Sequence, residues 1–506
     1  MLSFEVKPML FVNGRFFTDK GFREAVYVEG GIIRTVGRSV DLLRLHPGAE
    51  IIDLEKKTVV PGFNDSHLHV LSYSRFLESV NLRDAKTKEE IIRRGREALG
   101  QNSLVMYGYD DGSFPRPLSR FDLDLISTEI PIVAYRSCGH VAAVNGRALA
   151  LLPESEGIDI ENGILKENAL SLLEGLKPQE SKLRLKERIK NALSRLNAYG
   201  ITSVGTNDVK DDLETGLRIL EAYRELEEEG ELSARVSLQF AFTEKEKIAA
   251  FLEERRASPF FRLGPLKLFL DGSLGGETAL LSEPYTSGNW GIQTLGEGLL
   301  EELLGFAEEK GLQVGAHAIG DAASALFLSA LRKQKQNRLR HFLIHLQVLR
   351  PDLLACLREL QVPAALQPIF IAEDMEIAKR KLSKHLLKTS YCFKSISEAT
   401  VSAFGSDAPY GEINPFRGLQ AALTQENEQG EVLHPEERVT REEALKCYTE
   451  NSAYLTFEES RKGRIAPGQY GDFVVLCKDY FSVPEKEISE LKAELTVVGG
   501  RIVHRR

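Results

Sequence analysis

The chain has 506 residues, and its 65 basic and 74 acidic side chains give a formal net charge of −9. At about 150 residues per domain the length suggests about three domains, although barrel folds routinely exceed that size. The mildly acidic balance, with no long run of lysine or arginine, lacks the electrostatic footprint of a nucleic-acid binder, so no nucleic-acid partner is expected.

The first residues and the cysteines bear on where the protein acts. Gly14 and Arg15 interrupt the apolar residues near the start, which is untypical of a signal peptide or a membrane span, so we expect no membrane partner. The five cysteines are odd in number and far apart, with no C-x-x-C pair. This spacing favours reduced thiols in a cytoplasmic protein and disfavours a cysteine-based zinc site.

The two ends of the chain share a pattern that the middle lacks. Over residues 1–60 and again over 460–506, short β-type runs are separated by glycines. This pattern is typical of antiparallel strands joined by glycine-containing turns. We therefore expect the two segments to form one small composite β domain, a β-sandwich, beside a catalytic domain at 61–459.

Apolar runs alternate with amphipathic helical stretches through the middle of the chain, which predicts βα units and a parallel sheet. Ten runs are strand candidates: VVPGFND, SLVMYGY, PIVAYRS, ITSVGTN, VSLQFAF, LKLFLDG, LQVGAHA, RHFLIHL, VPAALQP and VSAFGSD. We predict an α/β fold, a (β/α)8 TIM barrel with insertions, because a barrel needs only eight of these runs. A doubly wound open sheet is the alternative, although no G-x-G-x-x-G follows any run at a helix start.

The strongest local signal is the sequence PGFNDSHLH at 61–69. Side chains alternate along a strand, so Asp65, His67 and His69 share one face. Two imidazoles at this spacing can converge on one metal ion, and they suit zinc. The alternative is chance, because a chain with ten histidines can contain an H-x-H pair by accident.

Three further residues lie at the ends of later runs. His317, His345 and Asp407 each stand where a β-like run gives way to a loop or helix. Singly, such residues often bond a loop carbonyl or cap a helix. Functional side chains of a barrel collect at its strand ends, so together with the H-x-H pair they predict a nitrogen and oxygen ligand set for a divalent metal.

These motifs carry a family resemblance. The opening PGF-x-D-x-H-x-H with the later His, His and Asp is similar to the metal-dependent amidohydrolase superfamily. KLFLDGSLG at 267–275 and HAIGD at 317–321 resemble its YtcJ-like branch, which includes N-substituted formamide deformylases. Further matches are GYDD at 108–111, GHVAAVN at 139–145 and PGQYGDF at 467–473.

The resemblance implies a metal centre of one or two divalent ions, with zinc preferred. His67, His69 and Asp407 would hold the more buried ion, and His317 and His345 a second one. Lys267 corresponds to a position where many members carry an N-carboxylated lysine that bridges two metals. The alternatives for this lysine are a cationic substrate anchor or a salt bridge to an aspartate.

The resemblance also implies the chemistry. Metal-bound hydroxide would attack a carbonyl-type carbon, with Asp407 as general base and then general acid, and His140 and Asp271 would contact the substrate. His140 has a second reading as a buried hydrogen-bonded histidine. The segment 272–294, which contains the only tryptophan, is long for a loop and reads either as a lid or as a packed surface excursion.

We therefore expect a hydrolase that cleaves a non-peptide C–N bond in a small molecule, such as an amide or an N-substituted formamide. A deaminase or a lactonase-type hydrolase on the same scaffold is the alternative within the enzymes. A catalytically silent barrel that serves as a binding or scaffold protein is the alternative from another class. The sequence leaves open whether the chain forms a homo-oligomer.

Overall fold

The computed structural model describes residues 7–100, 102–110, 112, 114–137, 139–155, 157–176, 180–210, 212–334 and 337–506. Within them the chain forms four sheets, one of which is an eight-stranded parallel barrel. The predicted α/β barrel with added β structure is therefore confirmed. No helix in this described part is long and apolar enough to cross a bilayer.

The first elements form β structure and lead into the barrel. They are β1 (Met9–Val12), β2 (Arg15–Thr18), β3 (Gly21–Arg23), β4 (Ala25–Glu29), β5 (Ile32–Gly37), α1 (Ser39–Leu45), β6 (Glu50–Asp53), β7 (Thr58–Pro61), β8 (Phe63–Leu68) and α2 (Val70–Glu78). Strand β8 is the first barrel strand, and only Gly62 separates it from β7. A Cβ at Gly62 would lie 2.3 Å from the Thr202 hydroxyl oxygen, so this tight junction requires glycine.

An inserted unit follows. Its elements are β9 (Val80–Asn81), α3 (Lys88–Glu97), β10 (Leu104–Tyr109), α4 (Arg120–Asp124), β11 (Ile132–Arg136), β12 (Val141–Val144), α5 (Gly146–Leu149), β13 (Ile158–Asp159), β14 (Ile164–Lys166) and a 3-10 helix (Glu167–Leu176). The strands form a separate sheet in the order β13-β14-β12-β11-β10-β9. The candidate runs SLVMYGY and PIVAYRS thus belong to this inserted sheet and not to the barrel.

The remaining barrel strands alternate with helices. The elements are α6 (Lys182–Asn197), β15 (Ile201–Lys210), α7 (Leu213–Glu228), β16 (Arg235–Ala241), α8 (Lys245–Glu253), β17 (Phe261–Phe269), α9 (Glu297–Lys310), β18 (Val314–Ala318), α10 (Asp321–Arg332), β19 (Phe342–His345), α11 (Pro351–Leu360), β20 (Ala364–Leu366), α12 (Ile369–Lys381), α13 (Lys384–Leu387), α14 (Phe393–Ala399) and β21 (Ser402–Phe404). The barrel order runs from β8 through β15 to β21.

The barrel closes where β21 meets β8. The Asp407 amide donates to the His67 carbonyl at 2.8 Å, and the His69 amide donates to the Ala408 carbonyl at 2.9 Å. Both oxygens of Asp65 accept from the Ser406 amide at 3.1 Å. Asp65 therefore fastens the seam that brings the first and last strands of the barrel together.

The C-terminal elements return to the β structure of the N-terminus. They are α15 (Pro415–Thr424), α16 (Arg441–Cys447), α17 (Glu450–Leu455), β22 (Phe473–Leu476), β23 (Ala493–Val498) and β24 (Arg501–Arg505), with 3-10 helices at Pro435–Glu437 and Glu485–Glu490. Strand β22 pairs with β7, so both ends of the chain share the sheet β24-β23-β22-β7-β2-β3.

A second sheet, β5-β4-β1-β6, packs against this shared sheet. Apolar side chains of both sheets form one buried cluster, in which the Phe473 ring lies 4.8 Å from Phe11 and 5.8 Å from Phe16. The expected domain boundaries at 60 and 460 stay a prediction. Cys138 lies outside the described residues, and the other four cysteines form no disulfide.

Candidate metal centre

The carboxyl ends of the barrel strands bring six predicted site residues together. Each is buried, and each belongs to or directly follows a strand: His67 on β8, His69 after it, Lys267 on β17, His317 on β18, His345 on β19 and Asp407 after β21. This edge of a barrel is where catalytic residues collect in enzymes of this architecture.

The tightest group consists of His67, His69 and Asp407, each of which offers a ligand atom within 4.8 Å of the others. Asp407 Oδ1 lies 3.1 Å from His69 Nε2 and 3.4 Å from His67 Nε2. Two imidazoles and one carboxylate at this spacing fit a divalent metal such as zinc and leave a coordination position open. The donor set therefore suits the ion that the sequence predicts.

His317 and His345 lie beside this group. Their ring centroids are 4.5 Å apart, and that of His345 is 5.7 Å from that of His67. Burial lowers the pKa of His317 well below its usual value and that of His345 to about 3, so both rings are neutral near pH 7. The neutral imidazole is the form that ligates a metal.

Lys267 reaches the same place from β17. Its Nζ lies 3.2 Å from His67 Nε2. Burial lowers the pKa of Lys267 to about 7, although Asp407 opposes this shift. Burial also raises the pKa of Asp407, but the hydrogen bond with His69 and the neighbouring His345 outweigh it, and the net pKa lies below the usual value. Lys267 therefore lies next to the group of His67, His69 and Asp407. Among the described residues it forms no ion pair with Asp271.

Each of three histidines is fixed through its Nδ1 atom, so that Nε2 is the nitrogen left for a metal. His69 Nδ1 donates to the Asn207 carbonyl at 2.9 Å, and His317 Nδ1 donates to Asp271 Oδ1 at 3.0 Å. His345 Nδ1 donates to the side-chain oxygen Oε1 of Gln367, the residue after β20, at 2.7 Å. Sequence reasoning did not identify Asn207 or Gln367. The position of Gln367 directly after β20 is a signal that could have found it, whereas Asn207 acts through its backbone carbonyl, which residue type does not reveal.

Asp271, the predicted substrate contact, lies against the His317 ring. It is buried and accepts from the His317 ring and from the amides of Ile319 at 3.1 Å, Gly320 at 2.7 Å and Leu280 at 3.0 Å. The residues that line the cavity do not include it. Both oxygens of Asp271 therefore accept hydrogen bonds, and one of them holds the His317 ring; its contact with a substrate stays a prediction.

Backbone strain coincides with two of the candidate ligands. His345 has a φ of +83° and Asp407 a φ of +56°, in the left-handed region that non-glycine residues adopt at a cost of about 1–3 kcal/mol. Such residues cluster at active sites, where the surrounding fold enforces the conformation. Two of the candidate ligands therefore occupy strained backbone positions of the kind that is common at active sites.

Three of the six residues, His317, His345 and Asp407, line a cavity of about 510 Å³ together with His140. His140 comes from the inserted sheet, and its ring centroid is 5.2 Å from that of His317. Burial lowers the pKa of His140, but the charge and hydrogen bond of Glu167 outweigh it and the net pKa is raised. His140 is thus both a hydrogen-bonded histidine and a cavity residue.

The long loop predicted after β17 also borders the cavity. Ser273, Leu274 and Gly275 line it, whereas Trp290 is 53% exposed and does not. The buried Tyr285 donates from its hydroxyl to the Ala279 carbonyl at 3.0 Å, which packs the loop against itself. The first part of the loop thus forms a cavity wall, and its tip is a surface excursion.

Comparison with known proteins identifies the family. The family model described as the amidohydrolase family matches residues 50–504. The YtcJ protein of Bacillus subtilis is 31% identical, with 96% of each chain covered. The N-substituted formamide deformylase of Arthrobacter pascens is 25% identical, covering 96% of this chain and 95% of that protein.

A crystal structure of a metal-dependent hydrolase from Pyrococcus furiosus superimposes with a TM-score of 0.77 at 31% identity, covering 94% of this chain and all of that one. The match to the family model covers most of the chain and includes every strand end that carries a candidate ligand. The chain therefore belongs to the amidohydrolase family and is a metal-dependent hydrolase that acts on carbon–nitrogen bonds other than peptide bonds.

Proposed function

We propose that the protein hydrolyses a non-peptide amide bond of a small molecule, with N-substituted formamides as the preferred class. The observation that carries this proposal is the buried group of His67, His69 and Asp407, whose aspartate lines the cavity. The similarity to an N-substituted formamide deformylase supports the choice of bond. A cavity of about 510 Å³ is of the size that takes small-molecule ligands.

His67, His69 and Asp407 would hold the first metal ion, and His317 with His345 a second. A divalent ion bound there supplies Lewis acidity and lowers the pKa of a coordinated water to about 7. Zinc is the preferred ion because the donors are imidazole nitrogens and a carboxylate oxygen.

Asp407 is the proposed general base and acid. Its carboxylate lines the cavity and lies beside two imidazoles, so it can accept a proton from an attacking water and then return it to the leaving nitrogen. His140 lines the same cavity from the inserted unit and is the proposed contact for the substrate or its developing oxyanion.

Lys267 is proposed to carry the N-carboxyl group. Its Nζ lies next to His67 Nε2, and an ammonium cannot ligate a cation, whereas a carbamate offers two oxygens and a negative charge. The 13C signal of protein equilibrated with 13C-bicarbonate and zinc tests this directly. A carbamate resonance that is missing from Lys267→Met supports the assignment, and its absence from the parent protein refutes it.

The substrate class is tested with a panel of N-formyl, N-acyl, cyclic amide, amino-heterocycle and lactone compounds. We expect release of a carboxylic acid and an amine in equal amounts from amides. Ammonia from amino-heterocycles alone would indicate a deaminase, and ring opening of lactones alone a lactonase. No turnover, together with substoichiometric metal under replete conditions, would indicate a scaffold protein.

A further inference from the structure

The inserted unit reaches the candidate metal centre through the loop that carries His140. The preceding Gly139 has a φ of +72°, and a Cβ there would lie 2.1 Å from the Tyr410 ring. Tyr410 follows Asp407 closely in the chain, and its own ring centroid is 5.2 Å from that of His69. The loop is therefore seated against the metal centre itself.

Glu167 holds His140 in this place. Its Oε2 lies 2.8 Å from His140 Nδ1, and its backbone amide donates to the His140 carbonyl at 3.1 Å. The Glu167 side chain is 10% exposed, and that of His140 is 20% exposed. The largely buried Glu167 thus binds both the ring and the backbone of His140.

The backbone of Glu167 is itself constrained. Its φ of +48° places a non-glycine residue in the left-handed region, at a cost of about 1–3 kcal/mol that a structure tolerates where it serves a purpose. The carboxylate also lies against the barrel, because a Cβ at Gly272 would be 2.3 Å from Glu167 Oε1. Gly272 follows Asp271, which fixes His317. The two rings that face each other across the cavity are thus each held by a carboxylate.

We infer that Glu167 is a positioning residue, which orients His140 so that Nδ1 is occupied and Nε2 faces the substrate. This inference rests on the proposed function, since His140 contacts substrate only if the cavity is the active site. Pairing of an imidazole with a buried carboxylate fixes the tautomer and the orientation of the ring. The inserted unit then completes the active site instead of merely covering it.

The alternative is that Glu167 only ties the inserted sheet to the barrel. The two readings differ in a double-mutant cycle with Glu167→Ala and His140→Ala on the zinc-loaded protein. We expect Glu167→Ala to lower kcat on the order of 10-fold to 100-fold, with little change in KM or in bound metal. In the His140→Ala background the same change should alter kcat less than twofold, because Glu167 acts through that ring.

A purely structural role of Glu167 predicts an equal loss of kcat from Glu167→Ala in both backgrounds. That result would overturn the inference. Glu167→Gln, which keeps an oxygen acceptor, should recover a large part of the lost kcat. The matched control is Glu437→Ala, which removes a buried carboxylate that accepts from the Ser395 amide at 2.9 Å and is not among the cavity residues. It should keep kcat within twofold.

The second readout needs no substrate. In protein labelled with 15N-histidine and loaded with zinc, the ring of His140 should carry its proton on Nδ1, assigned by the loss of its signals in His140→Ala. Glu167→Ala should abolish this single tautomer. A protein with no hydrolytic activity would refute the proposed function alone, whereas an unchanged His140 tautomer in Glu167→Ala would refute the positioning role alone.

Discussion

Three candidate ligands are held by three different acceptors, and this explains how the centre is organised before a metal binds. His69 uses a backbone carbonyl, His317 a carboxylate and His345 an amide oxygen. Each acceptor fixes the orientation of its imidazole ring, so metal binding does not have to restrict that rotation. The protein therefore places its nitrogen donors in advance, which favours tight and specific metal binding.

Asp407→Asn separates proton transfer from metal binding. The amide keeps the shape of the side chain and one oxygen near His67 and His69, but it cannot accept a proton from water. We expect kcat to fall by about 10²-fold to 10⁴-fold, with bound metal largely retained, as measured by kinetics and elemental analysis of the same sample. Loss of metal with an unchanged residual rate would contradict the role of general base.

Asp271→Asn tests the support of His317 in the same way. Because Asp271 accepts from that ring and from backbone amides, an amide at this position leaves a buried donor facing other donors. We expect metal affinity to fall about 10-fold to 100-fold, measured by competition with a chelator. Asp122→Asn is the control, since Asp122 is equally buried but caps α4 in the inserted unit, and it should leave metal affinity unchanged.

At the scale of elements, eight of the ten apolar runs form the barrel and two form the inserted sheet. Short runs of apolar residues between amphipathic helical stretches identified all ten as strands, because such runs report burial and backbone conformation. They could not separate the two groups, since the pairing partner of a strand is chosen by tertiary contacts. The clustering of the candidate ligands could still be predicted, because the carboxyl ends of the strands converge in any closed barrel.

The residues that hydrogen-bond to the site histidines could not be assigned from sequence either. His140 was identified from a motif, but Glu167 lies 27 residues later and meets it only through the folded loop. Asp271 was identified as a site residue from its motif, but the sequence does not show that its carboxylate accepts a hydrogen bond from the His317 ring. Residue type and strand position are readable from sequence, whereas contacts between residues of different loops are not.

Gly139→Ala tests whether the loop of the inserted sheet must touch the metal centre. The new Cβ would collide with the Tyr410 ring and would occupy a positive φ, so we expect His140 to be displaced and kcat to fall at least 10-fold. Gly21→Ala is the control, because Gly21 has a φ of +80° with no atom within 4 Å of the added Cβ.

Both variants should lose stability from the backbone strain, by roughly 1–3 kcal/mol, measured by denaturant unfolding. Only Gly139→Ala should lose turnover at temperatures where both proteins are folded. Equal kcat values for the two variants would show that the close approach of the loop is not needed for catalysis.

At the scale of the whole molecule, a buried ion pair joins the terminal β structure to the barrel. Arg235 on β16 donates to both oxygens of Asp472, at 2.6 and 2.8 Å, and Asp472 Oδ1 also accepts from the Gly499 amide at 2.7 Å. The guanidinium carbon lies 3.6 Å from the centroid of the Tyr470 ring. The sandwich and the barrel therefore share one desolvated charge pair, and each part should stabilise the other.

Asp472→Ala should consequently destabilise the whole chain. Removing one partner leaves a buried guanidinium without its carboxylate, which costs about 3–5 kcal/mol, measured as the free energy of unfolding. Glu97→Ala is the control: it breaks the exposed pair with Arg93 and should cost less than about 1 kcal/mol. A loss of equal size in both variants would contradict a structural role for the buried pair.

We expect the metal centre at the carboxyl ends of the barrel strands to hydrolyse amides. The most direct measurement is turnover of an N-substituted formamide by purified protein of known metal content, before and after chelation and after addition of zinc. We predict formate and amine in equal amounts, activity lost with the metal and restored by zinc, and no restoration in the double variant His67→Ala, His69→Ala. Turnover that persists at full rate in metal-free protein, or in that double variant, would contradict the account.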